Sequence, residues 1–258
     1  MLTVTPIPAF NDNYIWLLQR PETQRAVVVD PGQSEPVMTY LKKHGLTLEA
    51  ILITHHHHDH IGGVEKLLAE GKVPVYGPNN SAIPHIDTPL TEGDKISILD
   101  ETFAVLEVPG HTLDHIAYIS HGSSKPLLFC GDSLFSCGCG RLFEGSAEQM
   151  YASLQKYTLL TEDTVIYPTH EYTLANVDFA LAVEPDNQHL HTYQVKCQQL
   201  RDNGQATLPT TLKEQLAINP FLRSDKDSIK NNVSKHFQLS LNRPVDVFRH
   251  TRLWKDQF

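Results

Sequence analysis

Residues 55–60 read His-His-His-His-Asp-His, five imidazoles and one carboxylate in six consecutive positions. Neutral imidazole and carboxylate are ligands for zinc, iron or manganese. Within the cluster the spacing carries more than the count. His55 and His57 are two apart, so an extended segment points them the same way. Asp59 and His60 follow at once, where Gly62-Gly63 permits a tight entry into a helix. One short loop can therefore present two imidazoles in one direction and a carboxylate with an imidazole in another. His56 and His58 then point elsewhere and read as bystanders or supporting groups.

Other ligand types stand at the ends of apolar runs. The run 50–54 ends at His55, 103–110 at His111, 126–131 at Asp132 and 164–169 at His170. In layered α/β folds the C-terminal edges of strands are where sites are assembled. Seven candidate ligands, His55, His57, Asp59, His60, His111, Asp132 and His170, are too many for one ion that must keep an open position. They divide into three, three and one shared. A carboxylate can bridge through two oxygens, whereas a neutral imidazole offers one lone pair. Asp132 is the best bridge, since it arrives from a strand of its own. The expectation is two divalent ions roughly 3.5–4 Å apart with a hydroxide between them. Zinc comes first, with iron or manganese also suited. Asp59 and Asp132 are the expected catalytic carboxylates.

The elements that must hold these groups are legible in outline. The runs 26–32, 50–54, 103–110, 126–132 and 164–170 have strand length and β-branched or aromatic content. Residues 35–44 and 62–70 read as helices, with Gly45 and Gly71 as stops. Strands alternating with helices indicate an α/β layered domain. After His170 the strand-like runs cease. Leu174, Val177 and Leu181 have helical spacing, as do Leu190, Tyr193, Cys197 and Leu200. Thr211 to Glu214 reads as a capping box, and Pro244 suits the first turn of a terminal helix. A boundary is expected near residue 172, giving a domain over 1–172 and a mostly helical one over 173–258.

Composition narrows the function. The chain has 258 residues, 40% of them hydrophobic, enough for a real core. A net charge of −9 argues against a nucleic-acid partner and means that an anionic substrate needs a local basic patch. No run approaches the roughly 18 apolar residues of a membrane span. The N-terminus lacks a secretory pattern, and Cys130, Cys137, Cys139 and Cys197 suggest no disulfide framework. A cytoplasmic monomer is the expectation.

The His-x-His-x-Asp-His motif, followed by a His, an Asp and a His at strand ends, resembles the metallo-β-lactamase superfamily. The resemblance implies an αββα sandwich with the site on one edge. It implies His55, His57 and His111 on one metal, Asp59, His60 and His170 on the other, and Asp132 between. The stretches FNDNYIW, VDPG, THHHHDHIGG, PGHT, FCGDSLF, CGCGRLFEG, THEYT, NPFLR and the final KDQF are similar to the hydroxyacylglutathione hydrolase (glyoxalase II) family. That resemblance implies hydrolysis of the thioester S-D-lactoylglutathione to glutathione and D-lactate, the second step of methylglyoxal detoxification. It places glutathione contacts on Arg141, Tyr172, Arg252 and Lys255, with Phe143 where some members carry tyrosine. The 173–258 domain would then bind substrate. Rival classes are a mono-iron persulfide dioxygenase, an RNase Z-type nuclease, an exported β-lactamase and a histidine-rich metal buffer. The last does not explain ligand types at four strand ends.

Overall fold

The apolar runs form strands whose two faces are both covered, as in β-segments 26–29, 116–120 and 127–131. The computed structural model describes residues 2–120, 122 and 125–258. These form two compact units. The first comprises residues up to Val108, Asp114–Gly131 and Tyr167–His170; the second comprises Pro109–Leu113, Asp132–Ile166 and Glu171–Phe258.

In the first unit, β1 (Thr3–Ala9), β2 (Asn13–Gln19), β3 (Arg25–Val29), β4 (Thr47–Leu52), β5 (Val75–Pro78) and β6 (Thr88–Leu90) form one sheet in that order. The pairs β1–β2 and β2–β3 are antiparallel; from β3 onward the pairs are parallel. Helices α1 (Ser34–His44), α2 (His58–Ile61) and α3 (Val64–Glu70) lie between these strands in the chain. A second sheet carries β7 (Lys95–Ile98), β8 (Glu101–Glu107), β9 (Ile116–Ser120), β10 (Leu127–Gly131) and β13 (Val165–Pro168), in spatial order β13-β10-β9-β8-β7.

Alternation within β2 explains the layering. Ile15 and Leu17 join Val28, Val37, Ile51, Ile53, Val64 and Leu67 in the core beneath α1 and α3. Trp16 faces the other way and meets Tyr167 edge-on at 5.0 Å, while Tyr167 stacks on Phe129 at 4.9 Å. The Tyr118 hydroxyl donates to the Ile53 carbonyl at 2.7 Å, joining the sheets through a buried hydrogen bond. A sheet covered on both faces reads as continuous apolar sequence, as 26–29 does.

Helix α1 ends as its sequence predicts. Gly45 adopts φ 64, and its N–H returns to the Leu41 and Lys42 carbonyls. The helix expected over 62–70 is present as α3, which starts two residues later, at Val64, and ends at Glu70; Gly71 after it is extended rather than left-handed. A separate short helix, α2, begins at His58. The His-rich loop thus turns into helix within the motif itself.

In the second unit, β11 (Leu134–Phe135) and β12 (Gly138–Cys139) form a hairpin. Helix α4 (Ala147–Thr158) starts with a full capping box, Ser146 with Gln149. Then come α5 (Thr173–Val183), α6 (Gln188–Asp202), β14 (Thr210–Thr211), α7 (Leu212–Ile218), α8 (Asp227–Phe237) and α9 (Pro244–Gln257). β14 pairs with Val165 and Ile166. Val177, Ala180, Leu190, Tyr193, Cys197 and Ile218 form a core with Cys137 of the hairpin. The Thr211 side chain accepts from the Glu214 N–H, and Pro244 occupies the first turn of α9, both as the sequence indicates. Among the described residues no helix is long and apolar enough to cross a membrane.

Candidate metal centre

Five of the seven expected ligands belong to the first unit, and they form two groups. His55 lies three residues beyond the end of β4 and is wholly buried. Its Nε2 lies 3.0 Å from Nδ1 of His57. Asp59, His60 and His170 form the other group. Asp59 Oδ2 stands 3.5 Å from His60 Nε2 and 3.4 Å from His170 Nε2. Three donor atoms this close are the spacing of a chelate. The groups adjoin, with the His55 and His60 rings 4.0 Å apart.

Three of these imidazoles, those of His55, His60 and His170, are oriented from behind. The Thr54 N–H and hydroxyl both donate to the buried Asp30 carboxylate, at 2.8 Å each. With its hydrogen committed, the Thr54 hydroxyl accepts from His55 Nδ1, 3.0 Å away, which leaves the lone pair on Nε2. Asp30 Oδ2 also lies 3.0 Å from His60 Nδ1. His170 Nδ1 donates to Asp12 Oδ1 at 2.8 Å, again freeing Nε2. A carboxylate behind a histidine fixes its tautomer and strengthens it as a ligand. Asp30 holds a left-handed backbone, φ 53, a strained conformation outside glycine and asparagine.

Asp59 is set as an anion. Burial raises its pKa, but hydrogen bonds with His170 and His60, joined by Asn13 Nδ2 at 3.0 Å, outweigh burial. The carboxyl is held well below the usual carboxylate range.

His111 and Asp132 belong to the second unit. His111 Nδ1 donates to the Arg141 carbonyl at 2.8 Å, and its Nε2 faces Asp132 Oδ2 at 3.5 Å. Gly140 makes this approach feasible. A Cβ there would sit 2.1 Å from the Asp132 carbonyl oxygen and 2.9 Å from His111 Nδ1. All seven residues offer nitrogen or carboxylate donors, and His55, His111 and His170 have their outer nitrogens already engaged, a set that fits a divalent cation.

The expected substrate residues also lie in the second unit. Phe143 is 61% exposed and meets the His111 ring edge-on at 5.3 Å. Tyr172 is 38% exposed and packs edge-on against Phe135. Arg141 is exposed, its Nε 3.4 Å from Asp256 Oδ1. Arg252 is buried: Nη1 donates to the Cys139 carbonyl at 3.0 Å, Nε and Nη2 to Asp256. Lys255 Nζ donates to the Ala175 carbonyl at 3.1 Å and lies over Phe179. Burial, then the Arg252 charge, lowers its pKa. Burial lifts the Cys139 thiol to about 11 against the pull of Arg252.

Four supporting residues escaped the sequence reading: Asp12, Asn13, Thr54 and His115. Asp12 and Asn13 look like turn residues of FNDNYIW, and their partners are remote in sequence. Thr54 adjoins the motif, and His115 follows His111 by four; both positions were visible but carried no ligand spacing.

Residues 10–170 match the family model of the metallo-β-lactamase superfamily, and 171–258 match that of the hydroxyacylglutathione hydrolase C-terminus. A hydroxyacylglutathione hydrolase of Aliivibrio salmonicida is 53% identical over the full length of both chains. The chain belongs to the hydroxyacylglutathione hydrolase family. Its fold is that of the metallo-β-lactamase superfamily. The solved structure of ETHE1 from Myxococcus xanthus is similar with TM-score 0.64 and 26% identity, covering 96% of each chain. That of TTHA1623 in a di-iron-bound form has TM-score 0.60 and 25% identity, covering 85% of this chain and 100% of that one.

Proposed function

We propose that the chain hydrolyses S-D-lactoylglutathione and related S-2-hydroxyacylglutathiones to glutathione and a 2-hydroxy acid, in the cytoplasm and as a monomer. It is a metal-dependent hydrolase of its family. The observation that carries the reading is the pair of preoriented ligand groups on one chain with the whole of the family's C-terminal segment.

His55, His57 and His111 would hold one divalent ion, Asp59, His60 and His170 a second, and Asp132 would serve both. The di-iron form of TTHA1623 supports two ions, and the all-nitrogen and oxygen donor set suits zinc first, then iron or manganese. Such ions supply a water of lowered pKa and polarise a carbonyl oxygen. Asp59, anionic and held by Asn13, orients the attacking water as well as ligating. Addition to the thioester carbon breaks the C–S bond, and the departing thiolate takes up a proton. A thiolate is a good leaving group, so the chain needs no strong general acid. Arg141, Tyr172 and Lys255 dock the anionic tripeptide. Arg252 steadies them by holding Asp256 and the Cys139 carbonyl. Phe143 offers a ring face and no hydroxyl.

Purified protein should consume S-D-lactoylglutathione, followed by loss of thioester absorbance, and chelation should stop it. No turnover with two ions bound overturns the reading. Oxygen uptake with glutathione persulfide in the same sample would favour a dioxygenase.

A further inference from the structure

We propose that His115 is a positioning residue that fixes the ring of His55, and through it the affinity of the metal position built by His55 and His57. This rests on the reading of those two histidines as ligands. His115 stands immediately before β9, and none of its atoms is assigned a part in the chemistry above. Its ring is fully buried and lies parallel to that of His55, centroids 4.6 Å apart and planes 15° apart.

The backbone locks this stack. The Ile116 N–H, next in the chain, donates to the Thr54 carbonyl at 2.9 Å, and the Val108 N–H donates to the His115 carbonyl at 2.8 Å. His115 is thereby registered against the residue that precedes His55. Gly131, at φ +49, makes the room. A Cβ there would stand 2.5 Å from Thr54 Oγ1 and 2.9 Å from His115 Cε1 and Nε2. The single missing side chain thus clears space for Thr54 Oγ1 and for the His115 ring, each of which meets the His55 ring.

Those groups do different work. A histidine ligand has two soft motions, rotation within the ring plane and tilt of the plane. Thr54 Oγ1 holds Nδ1 and restrains the first. The flat face of His115 restrains the second. Burying an imidazole costs desolvation that an aliphatic side chain would avoid. The planar shape is what an aliphatic group lacks.

The test uses zinc-loaded protein in competition with a chelating dye, with retained zinc counted by elemental analysis. The His57→Ala variant identifies which of the two dissociation constants belongs to the His55–His57 position. His115→Ala should weaken that constant about 10- to 100-fold, the range for loss of a group that orients a ligand. The other constant should stay within about threefold. His115→Gln keeps the approximate bulk and a polar tip but not the ring face, so it should weaken the same constant; it decides the matter if the alanine variant fails to fold. A His115→Gln protein with wild-type zinc affinity overturns the proposal. So does equal weakening of both constants, which marks a merely structural role. No substrate enters the measurement, so the thioesterase reading can fail while this one stands.

Discussion

At the scale of single residues, the tightest reasoning concerns what stands behind each ligand. Asp132 is the expected shared carboxylate, so Asp132→Ala should lower bound metal from two ions to one or fewer and reduce kcat/KM at least 100-fold, read by elemental analysis and thioester hydrolysis on the same sample. Activity that survived full metal loss would exclude the mechanism. Lys255 is different, because its proposed part is to bind rather than to react. Lys255→Met should raise KM about tenfold with kcat nearly unchanged, since it removes an interaction made equally by substrate and transition state. Initial-rate kinetics separates the two effects. The candidate ligands stood out in the sequence because their types recur after strand-like runs. Asp12 and Thr54 were not, because a hydrogen-bond partner 158 residues away, as Asp12 is from His170, leaves no trace in local spacing.

Elements set these residues in place through their ends. Helix α5 stops at Glu184, which accepts from Arg223 Nη2 at 2.7 Å, from Asn187 Nδ2 at 2.7 Å and from the Ser228 hydroxyl. A carboxylate at a helix C-terminus opposes the macrodipole. Burial raises the Glu184 pKa, yet the Arg223, Ser228 and Asn187 hydrogen bonds outweigh both effects and leave it lowered. A lowered carboxyl stabilises the fold above its unfolded pKa, and that stability is lost as pH falls through the folded value. Glu184→Gln should therefore cost about 2 kcal/mol at pH 7. The gap from wild type should close as pH drops below about 4.5, in denaturant titrations run across pH. A gap that widened on acidification would reverse the argument. Element existence was legible where one period dominated, as in β3, α1 and α9. Helix α2 was not, because its four residues, His58–Ile61, are too few to show a period. The strands β1 and β2 were missed too: Pro6 and Pro8 interrupt one, and the other reads as a run buried on both faces.

On the scale of the molecule, the second unit recruits three separate chain segments. Leu134, Phe135 and Cys137 are buried within it, beside residues that come much later in the sequence. Cutting the chain after His170 should therefore leave the 132–166 segment without its core. The expected product is an insoluble or protease-sensitive protein with no zinc bound, checked by limited proteolysis and elemental analysis; a folded, metal-loaded fragment would contradict this account. The net charge of −9 indicated an acidic surface but did not show that the basic side chains Arg252 and Lys255 share one face of α9 with Asp256 between the arginines.

The hairpin β11–β12 has a further consequence during synthesis. Asn219 Nδ2 donates to the Phe135 and Gly138 carbonyls, and Gln215 Oε1 receives the Cys137 N–H, across separations of 84, 81 and 78 residues. On the ribosome, the stretch just after Asp132 emerges long before these amides exist to meet it. The large first sheet can close early, while the hairpin waits, uncapped, until α7 has been translated. Nascent chains stalled short of residue 215 are accordingly the ones that should need a chaperone.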